Sequence, residues 1–178
     1  MRFWIEQKDL PSPWQARLEK IIDAVIHADK DSNPVVAWEA IQCRRYADRL
    51  YLINAPDHFD EQQEYDLAIG DYITIPGLGE VSLASDIGTG LRLGRDDKLR
   101  VRFRQGGERC KPQGRQHSQT LKKLLQEYEV PPWVRDRTPL IYVNDQFAAA
   151  GDFWINEGFA VTEEKEQGFV VGCYYDLH

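Results

Sequence analysis

The residues best suited to chemistry in this chain are cationic, and they cluster in one segment. Residues 98 to 123 contain nine Lys or Arg and one Glu, a net charge of +8, although the whole chain of 178 residues carries −7. Lysine and arginine bind anions such as phosphate groups through charge-assisted hydrogen bonds. The segment therefore predicts an anionic partner.

The spacing inside this segment adds a geometric expectation. Arg100, Arg102 and Arg104 alternate with Val101 and Phe103. Alternation with a period of two is typical of a β-strand, in which successive side chains point to opposite faces. The pattern predicts three guanidinium groups on one face of a strand.

A glycine pair and a helix start follow this strand. Gly106-Gly107 allows positive φ, and we expect one of the two to adopt it so that backbone N–H groups turn toward an anion. Ser118 is predicted to cap a helix that runs to Tyr128. Strand, glycine turn, basic loop and helix start together predict a phosphate-contact surface. The predicted contact residues are Arg102, Arg104, Gly106, Gly107, Arg109, Lys111, Arg115, His117, Lys122, Lys123 and Arg135, with Arg44 and Arg45 as secondary contacts.

Other interpretations of the same residues remain open. A run of charge can be a solvated face, and a basic patch can dock an acidic protein surface. Cys110 lies in the electropositive loop, where its thiolate would be favoured, and His117 could serve it as a base. Cys43, Cys110 and Cys173 lack the spacing of a zinc site, which predicts thiols in a reducing compartment and no metal.

Length and composition narrow the class of protein. A chain of 178 residues with 42% hydrophobic and 29% charged residues predicts a globular protein of one domain, or one domain with part of another. Its apolar runs are too short for a membrane span, and the charged N-terminus does not resemble a signal peptide. We expect a cytoplasmic protein without a membrane partner.

The elements that must position the cations follow from periodicity and turn residues. Residues 2 to 7 are expected to end a helix, and Ser12-Pro13-Trp14-Gln15 to form a capping box with proline at the first position of a helix to about His27. Its apolar stripe is expected to consist of Trp14, Leu18, Ile21, Ile22, Val25 and Ile26. Residues 35 to 54 predict two antiparallel strands joined at Ala47-Asp48, and residues 55 to 66 a linker.

Short strands are expected at 72–75, 79–84 and 98–104, a hairpin turning at Asn144-Asp145, and a last strand or two near 169–175. One helical turn is predicted at 133–137. The fold class is therefore α+β, with a helical N-terminal piece followed by a mixed, mostly β C-terminal domain that carries one main packed helix.

Several blocks together resemble a known family. The blocks Arg104-Gln105-Gly106-Gly107-Glu108-Arg109, Leu121-Lys122-Lys123-Leu124, Pro131-Pro132-Trp133-Val134-Arg135-Asp136, Thr138-Pro139-Leu140 and Ala148-Ala149-Ala150-Gly151 are similar in order and spacing to the C-terminal domain of tRNA(Ile)-lysidine synthetase. Upstream, Arg2-Phe3-Trp4-Ile5 and Ile41-Gln42-Cys43-Arg44-Arg45-Tyr46 resemble the end of the family's middle, substrate-binding domain. The resemblance implies that residues 1–55 end the middle domain and residues 56–178 form a tRNA-binding C-terminal domain.

The resemblance also implies a function. Members of the family are ligases that modify tRNA: they use ATP to attach lysine to the wobble cytidine of a minor isoleucine tRNA. That chemistry belongs to an N-terminal catalytic domain with a Ser-Gly-Gly-x-Asp-Ser loop, which these residues lack. The implied partners are tRNA and the N-terminal domain. ATP, with Mg²⁺, is expected in the N-terminal domain, and this chain is expected to hold no cofactor and to be inactive alone.

Overall fold

A computed structural model describes residue 5 and residues 13–29, 32–54 and 59–175. Contacts divide the chain into two compact units between residues 56 and 57. Most of the regular structure is β-strand, and the helices are short. The predicted α+β class, mostly β with one main packed helix, is confirmed.

The first unit is a short helix with a three-stranded antiparallel sheet. Helix α1 spans Gln15–Ile21 and continues as a π-helical segment, Ile22–Ile26. The strands β1 (Val35–Trp38), β2 (Ile41–Tyr46) and β3 (Arg49–Asn54) pair in chain order. Their alternate side chains face the helix side and form one apolar cluster.

The start of α1 differs from the prediction. Trp14 is the N-cap and no side chain caps the helix, so Pro13 precedes the helix instead of occupying its first position. Ser12 lies outside the described residues. The predicted capping box is therefore wrong in its register.

The apolar stripe of α1 is narrower than its sequence pattern. Leu18, Ile21 and Val25 are buried. Trp14 is exposed at the N-cap, before the helix begins. Ile22 and Ile26 are exposed because the π-helical segment rotates the positions that follow Ile21 away from the α-helical period. Of residues 2 to 7, Ile5 alone is described, and it is helical and buried. The remainder of that predicted helix lies outside the described residues.

Residues 35 to 54 form three strands where the alternation predicts two. Glu39 has φ of +48° and opens a turn between β1 and β2, which interrupts the apparent single strand. The turn at Ala47-Asp48 is confirmed, with φ of +46° and +59°.

The second unit contains most of the strands and both remaining helices. Its elements are β4 (Tyr65–Leu67), β5 (Tyr72–Ile75), β6 (Gly79–Ile87), β7 (Leu99–Arg102), β8 (Arg109–Cys110), β9 (Gln119–Thr120), α2 (Leu121–Glu127), α3 (Pro132–Arg135), β10 (Leu140–Val143), β11 (Gln146–Ala150), β12 (Trp154–Ile155) and β13 (Gln167–Tyr175). In its described part, these strands form sheets in the orders β12-β11-β10-β7-β4, β13-β6-β5 and β8-β9.

The five-stranded sheet is buried on both faces along β10 and β11. Ile141 and Ala149 belong to one apolar cluster with residues of the sheet β13-β6-β5. Their neighbours Leu140 and Ala150 point the opposite way and pack with Leu121, Leu124 and Leu125 of α2. Helix α2 is thereby fixed against the sheet that contains β7.

Two further predictions meet different outcomes in this unit. The hairpin turn at Asn144-Asp145 is confirmed, with φ of +49° and +65°. The linker predicted for residues 55–66 is wrong from residue 59 onward. The ring of Phe59 packs edge-on against Phe103 with centroids 4.6 Å apart, and β4 begins at Tyr65.

Candidate nucleic-acid interface

Strand β7 carries its arginines on one face, as its alternation predicts. Leu99, Val101 and Phe103 are buried in the apolar cluster of the sheet. Arg100 and Arg102 point the other way. The strand ends at Arg102, so Arg104 already belongs to the loop that follows.

Each arginine of this face meets a carboxylate contributed by another part of the unit. Arg102 lies 2.9 Å from Glu64 and 2.7 Å from Asp145. Arg100 lies 3.4 Å from Glu64 and 3.9 Å from Asp145. Arg104 pairs with Asp136 at 2.9 Å. The arginine face is therefore neutralised by the protein's own acids.

Arg102 is held most firmly. Its guanidinium lies 4.6 Å from the centroid of the Tyr142 ring, in cation–π geometry. Burial by itself lowers its pKa, but the ion pair with Glu64 and the hydrogen bond to Asp145 outweigh burial and raise the pKa above the usual arginine value. This guanidinium stays charged and bound within the fold.

Two more cations of the basic segment have partners. Lys111 lies 2.7 Å from Glu157, and Arg115 lies 3.1 Å from Glu127. Five of the nine lysines and arginines are thus ion-paired, all with acids outside residues 98–123. Within the described part of the chain, Lys98, Arg109, Lys122 and Lys123 form no ion pair. The surface that can attract an anion is smaller than the formal charge of the segment suggests.

The glycine pair adopts the backbone predicted for it. Gly106 and Gly107 both have positive φ, +97° and +88°, and no atom lies within 4 Å of the position a Cβ would take. The N–H groups of Gln105 and Gly106 do turn toward an anion, but that anion is Glu108. Its Oε1 accepts from both, at 2.5 and 2.8 Å.

Arg109 closes the basic loop onto helix α2. Strand β8 pairs with β9, so that Arg109 lies opposite Thr120. The Arg109 guanidinium donates to the carbonyl oxygen of Ser118 at 3.1 Å. The N–H of Leu121, the first residue of α2, donates to the carbonyl oxygen of Glu108 at 2.9 Å.

The predicted N-cap at Ser118 is wrong, and Thr120 takes that role. The Thr120 hydroxyl accepts from the backbone N–H of Lys123 at 3.4 Å. Residues 119 and 120 are extended because they pair with β8, so the helix cannot begin before Leu121. The basic loop is therefore longer, and the helix shorter, than the sequence predicts.

Three of the four unpaired cations, Arg109, Lys122 and Lys123, lie where this loop meets α2. Leu121, Leu124 and Leu125 are fully buried, which leaves Lys122 and Lys123 exposed on the outer side of the first turn. Arg109 is exposed in β8, opposite Thr120, and His117 is exposed in the loop. We call the three residues Arg109, Lys122 and Lys123 the α2 cationic surface.

The other predicted contact residues lie in different settings. The Arg135 Nε donates to the carbonyl oxygen of Val130 at 2.7 Å, beside α3. In the first unit, Arg45 donates to the carbonyl oxygens of Ile26, Ala28 and Asp29, which end the π-helical segment. Arg44 donates to the side-chain oxygen of Gln42 at 2.9 Å. Arg45 thus caps a helix end.

Cys110 does not have the environment of a nucleophile. It is 4% exposed in the cluster beneath α2, and burial, with Glu108 as a lesser cause, raises the pKa of its thiol to about 11. The expectation that the basic loop favours its thiolate is wrong, because burial dominates the effect of Arg109. His117 is exposed in the loop.

Sequence reasoning missed the acids that neutralise the arginine face. Glu64, Asp136 and Asp145 are 32 to 45 residues away from the arginines they bind. No local pattern indicates such pairs. The Glu108 contact did have a local signal, because a carboxylate directly follows the two glycines.

The described residues contain neither a candidate metal site nor a membrane-spanning helix. No group of three or more His, Cys, Asp or Glu side chains there has the geometry to hold a metal ion. No helix in the described part of the chain is both long and apolar enough to cross a membrane.

Comparison with known proteins identifies the family. Residues 99–172 match the model described as the TilS substrate C-terminal domain, and residues 1–51 match the TilS substrate binding domain. A tRNA(Ile)-lysidine synthase of Coxiella burnetii is 38% identical over 93% of this chain and 37% of its own length. The enzyme of Legionella pneumophila strain Paris is 34% identical over 96% of this chain and 39% of its own length. That of Photobacterium profundum is 40% identical over 89% of this chain and 37% of its own length.

The chain thus spans less than two fifths of the length of these relatives. The two domain models together match most of the chain, in the order in which the sequence blocks resemble the middle and C-terminal domains. The resemblance is confirmed: the chain belongs to the tRNA(Ile)-lysidine synthase family, in which it corresponds to the C-terminal region.

Proposed function

We propose that this chain binds the tRNA substrate of a tRNA(Ile)-lysidine synthase and holds it by its phosphate backbone. The support is twofold. Its relatives are named for tRNA(Ile), and both matching domain models are described as substrate domains. Contacts of lysine and arginine with phosphates supply affinity and register without reading sequence.

The observation that carries the proposal is the distribution of unpaired cations. Arg100, Arg102 and Arg104 are occupied by the protein's own acids. Arg109, Lys122 and Lys123 are exposed at one place, where β8 and the first turn of α2 meet. Phosphates that approach this place meet three cations that form no ion pair within the described residues.

We place the catalytic step in the part of the relatives that this chain does not match. In that part, ATP and Mg²⁺ would be bound and lysine attached to the wobble cytidine. The one Gly-Gly pair of these 178 residues, Gly106-Gly107, is flanked by Gln105 and Glu108, which is not a nucleotide-binding loop. An ATP–pyrophosphate exchange assay on this chain, with lysine and tRNA present, should therefore give the background rate.

The RNA-binding proposal is tested with two double variants that remove the same charge. Lys122→Ala with Lys123→Ala removes two unpaired cations, whereas Lys111→Ala with Arg115→Ala removes two ion-paired ones. We expect the first pair to weaken tRNA binding by roughly fivefold per lost contact and to lower the slope of log K against log salt by about 0.7–0.9 per contact. The second pair should have a much smaller effect.

Equal losses in the two double variants would show that only net charge matters and that the α2 cationic surface is not the contact. Unchanged binding in both at low and high salt would show that the surface is merely solvated. Thermal unfolding of each variant provides the control for folding. Alanine has a high helix propensity, so the changes at Lys122 and Lys123 should leave α2 intact.

A further inference from the structure

The side chain of Glu108 binds the backbone of the loop between β7 and β8, which is also held by a bond from the Gln105 side chain to the carbonyl oxygen of Glu61 at 2.8 Å. The Glu108 Oε1 accepts from the N–H groups of Gln105 and Gly106 at 2.5 and 2.8 Å. Both glycines of this loop have positive φ and open space around them, so no packing holds their conformation. A loop of this kind has high conformational freedom, and the carboxylate supplies two charge-assisted bonds that restrict it.

The backbone of Glu108 connects this loop to the helix. Its carbonyl oxygen accepts from the N–H of Leu121, the residue directly before Lys122. The next residue, Arg109, pairs with Thr120 and donates to the Ser118 carbonyl oxygen. One residue therefore joins the end of the arginine strand, the glycine turn and the first turn of α2.

The same contact excludes the glycine turn as an open phosphate site. The two N–H groups that could cradle a phosphate are already bound by a carboxylate. Glu108 also lines a cavity of about 400 Å³ together with Glu61, Glu64 and Arg102, so three carboxylates and one guanidinium face this cavity. A phosphate would have to displace Glu108 in a negatively charged surrounding.

We propose that Glu108 is a positioning residue of the RNA-binding surface: its carboxylate closes the Gln105–Gly107 turn and thereby orients Arg109 and the first turn of α2 toward the phosphate backbone. The inference rests on the proposed function and adds that the glycine turn itself is not a phosphate site. Glu108 is acidic, yet its removal should weaken the binding of a polyanion.

Two conservative variants separate geometry from charge. Glu108→Asp keeps the charge but is one methylene too short to reach both N–H groups. Glu108→Gln loses the charge but keeps an acceptor oxygen at the same distance. We expect Glu108→Asp to weaken tRNA binding about tenfold, the size of one lost charge-assisted bond, and Glu108→Gln to stay within a few-fold of the parent. If only charge mattered, Glu108→Asp would match the parent and Glu108→Gln would bind more tightly.

Glu127→Gln is the matched control for charge. It removes one carboxylate at the other end of α2, where Glu127 pairs with Arg115 at 3.1 Å. Its affinity for tRNA should equal or slightly exceed that of the parent. A loss of affinity in Glu127→Gln equal to that in Glu108→Asp would overturn the inference.

Hydrogen exchange of the Gln105 and Gly106 amides, measured by NMR on the whole chain, reports the loop directly. Both amides should be protected in the parent and in Glu127→Gln and should lose protection in Glu108→Asp, while melting temperatures stay close. Inorganic phosphate should leave the two amide signals of the parent unmoved. A phosphate-induced shift of these signals would make the turn a phosphate site and refute the proposal.

The outcomes also separate this inference from the proposed function. A parent chain that binds no tRNA refutes the proposed function, and the positioning role falls with it. Tight parent binding with an unimpaired Glu108→Asp variant refutes the positioning role alone.

Discussion

Arg100 and Arg102 are two residues of one type on one strand face, and their alanine variants should differ sharply in stability. The Arg102 side chain is 25% exposed and the Arg100 side chain is 47% exposed. Arg102 makes two short contacts, at 2.9 and 2.7 Å, and lies over an aromatic ring. The closest contact of Arg100 is 3.4 Å.

The magnitudes follow from these contacts. A hydrogen bond to a charged group contributes about 1.5–3 kcal/mol when buried, and less here because Glu64 and Asp145 are 46% and 70% exposed. The cation–π contact adds about 0.5–1 kcal/mol. We expect Arg102→Ala to lower the free energy of unfolding by about 2 kcal/mol, and Arg100→Ala by less than about 1 kcal/mol, as for an exposed ion pair.

Urea denaturation at pH 7 measures both values, with the slope of free energy against urea as a check that the unfolded states are alike. In 1 M salt the difference between the two variants should shrink but persist, because the Arg102 pairs are partly shielded from solvent. Neither variant should weaken tRNA binding as much as the loss of Lys122 and Lys123. Equal destabilisation by the two variants would refute the view that burial and contact geometry decide the strength of these pairs.

Three further predictions concern the surroundings of the interface. Thr120→Ala should lower the free energy of unfolding by about 1 kcal/mol through loss of the α2 cap, and Ser118→Ala should leave it nearly unchanged, both measured by urea denaturation. Gly90→Ala should lower the free energy of unfolding by roughly 3–5 kcal/mol, because its Cβ would lie 2.5 Å from a backbone carbonyl oxygen of β13. Gly114→Ala should lower it by about 1 kcal/mol, because φ is +82° there but no atom lies within 4 Å of the added Cβ. Burial raises the pKa of the Cys110 thiol from 9.0 to about 11, so between these pH values the folded chain keeps a proton that the unfolded chain releases. The free energy of unfolding should therefore fall as the pH rises from about 9 to about 11. Alkylation of Cys110 at pH 8 should be slow until the chain is denatured.

The elements that sequence reasoning found correctly are those with a local signal. The alternation along β7 and the Asn144-Asp145 turn each depend on a few consecutive residues, and the structure has both. The two-residue strands β8 and β9 have no period that could reveal them. Because they pair with each other, the helix start moves from Ser118 to Leu121, which no propensity indicates.

The sequence predicts where the cations lie along the chain, but it does not predict which of them are left without an ion pair. Which lysines and arginines are available depends on where acids from other strands and turns come to lie. Arg102 meets Asp145 because β7 pairs with β10, whose hairpin turn carries that aspartate. Such a contact is set by the register of the sheet, across 43 residues of sequence.

The neutralised arginine face has a consequence for how long an RNA stays bound. A surface on which all nine cations were free would release many counterions and hold a polyanion for a long time. Here five of them are occupied by the protein's own carboxylates, so the proposed binding of tRNA would rest on few contacts. Fewer contacts give a faster dissociation rate. For the tRNA-binding function proposed above, fast dissociation would let one tRNA leave before the next one binds.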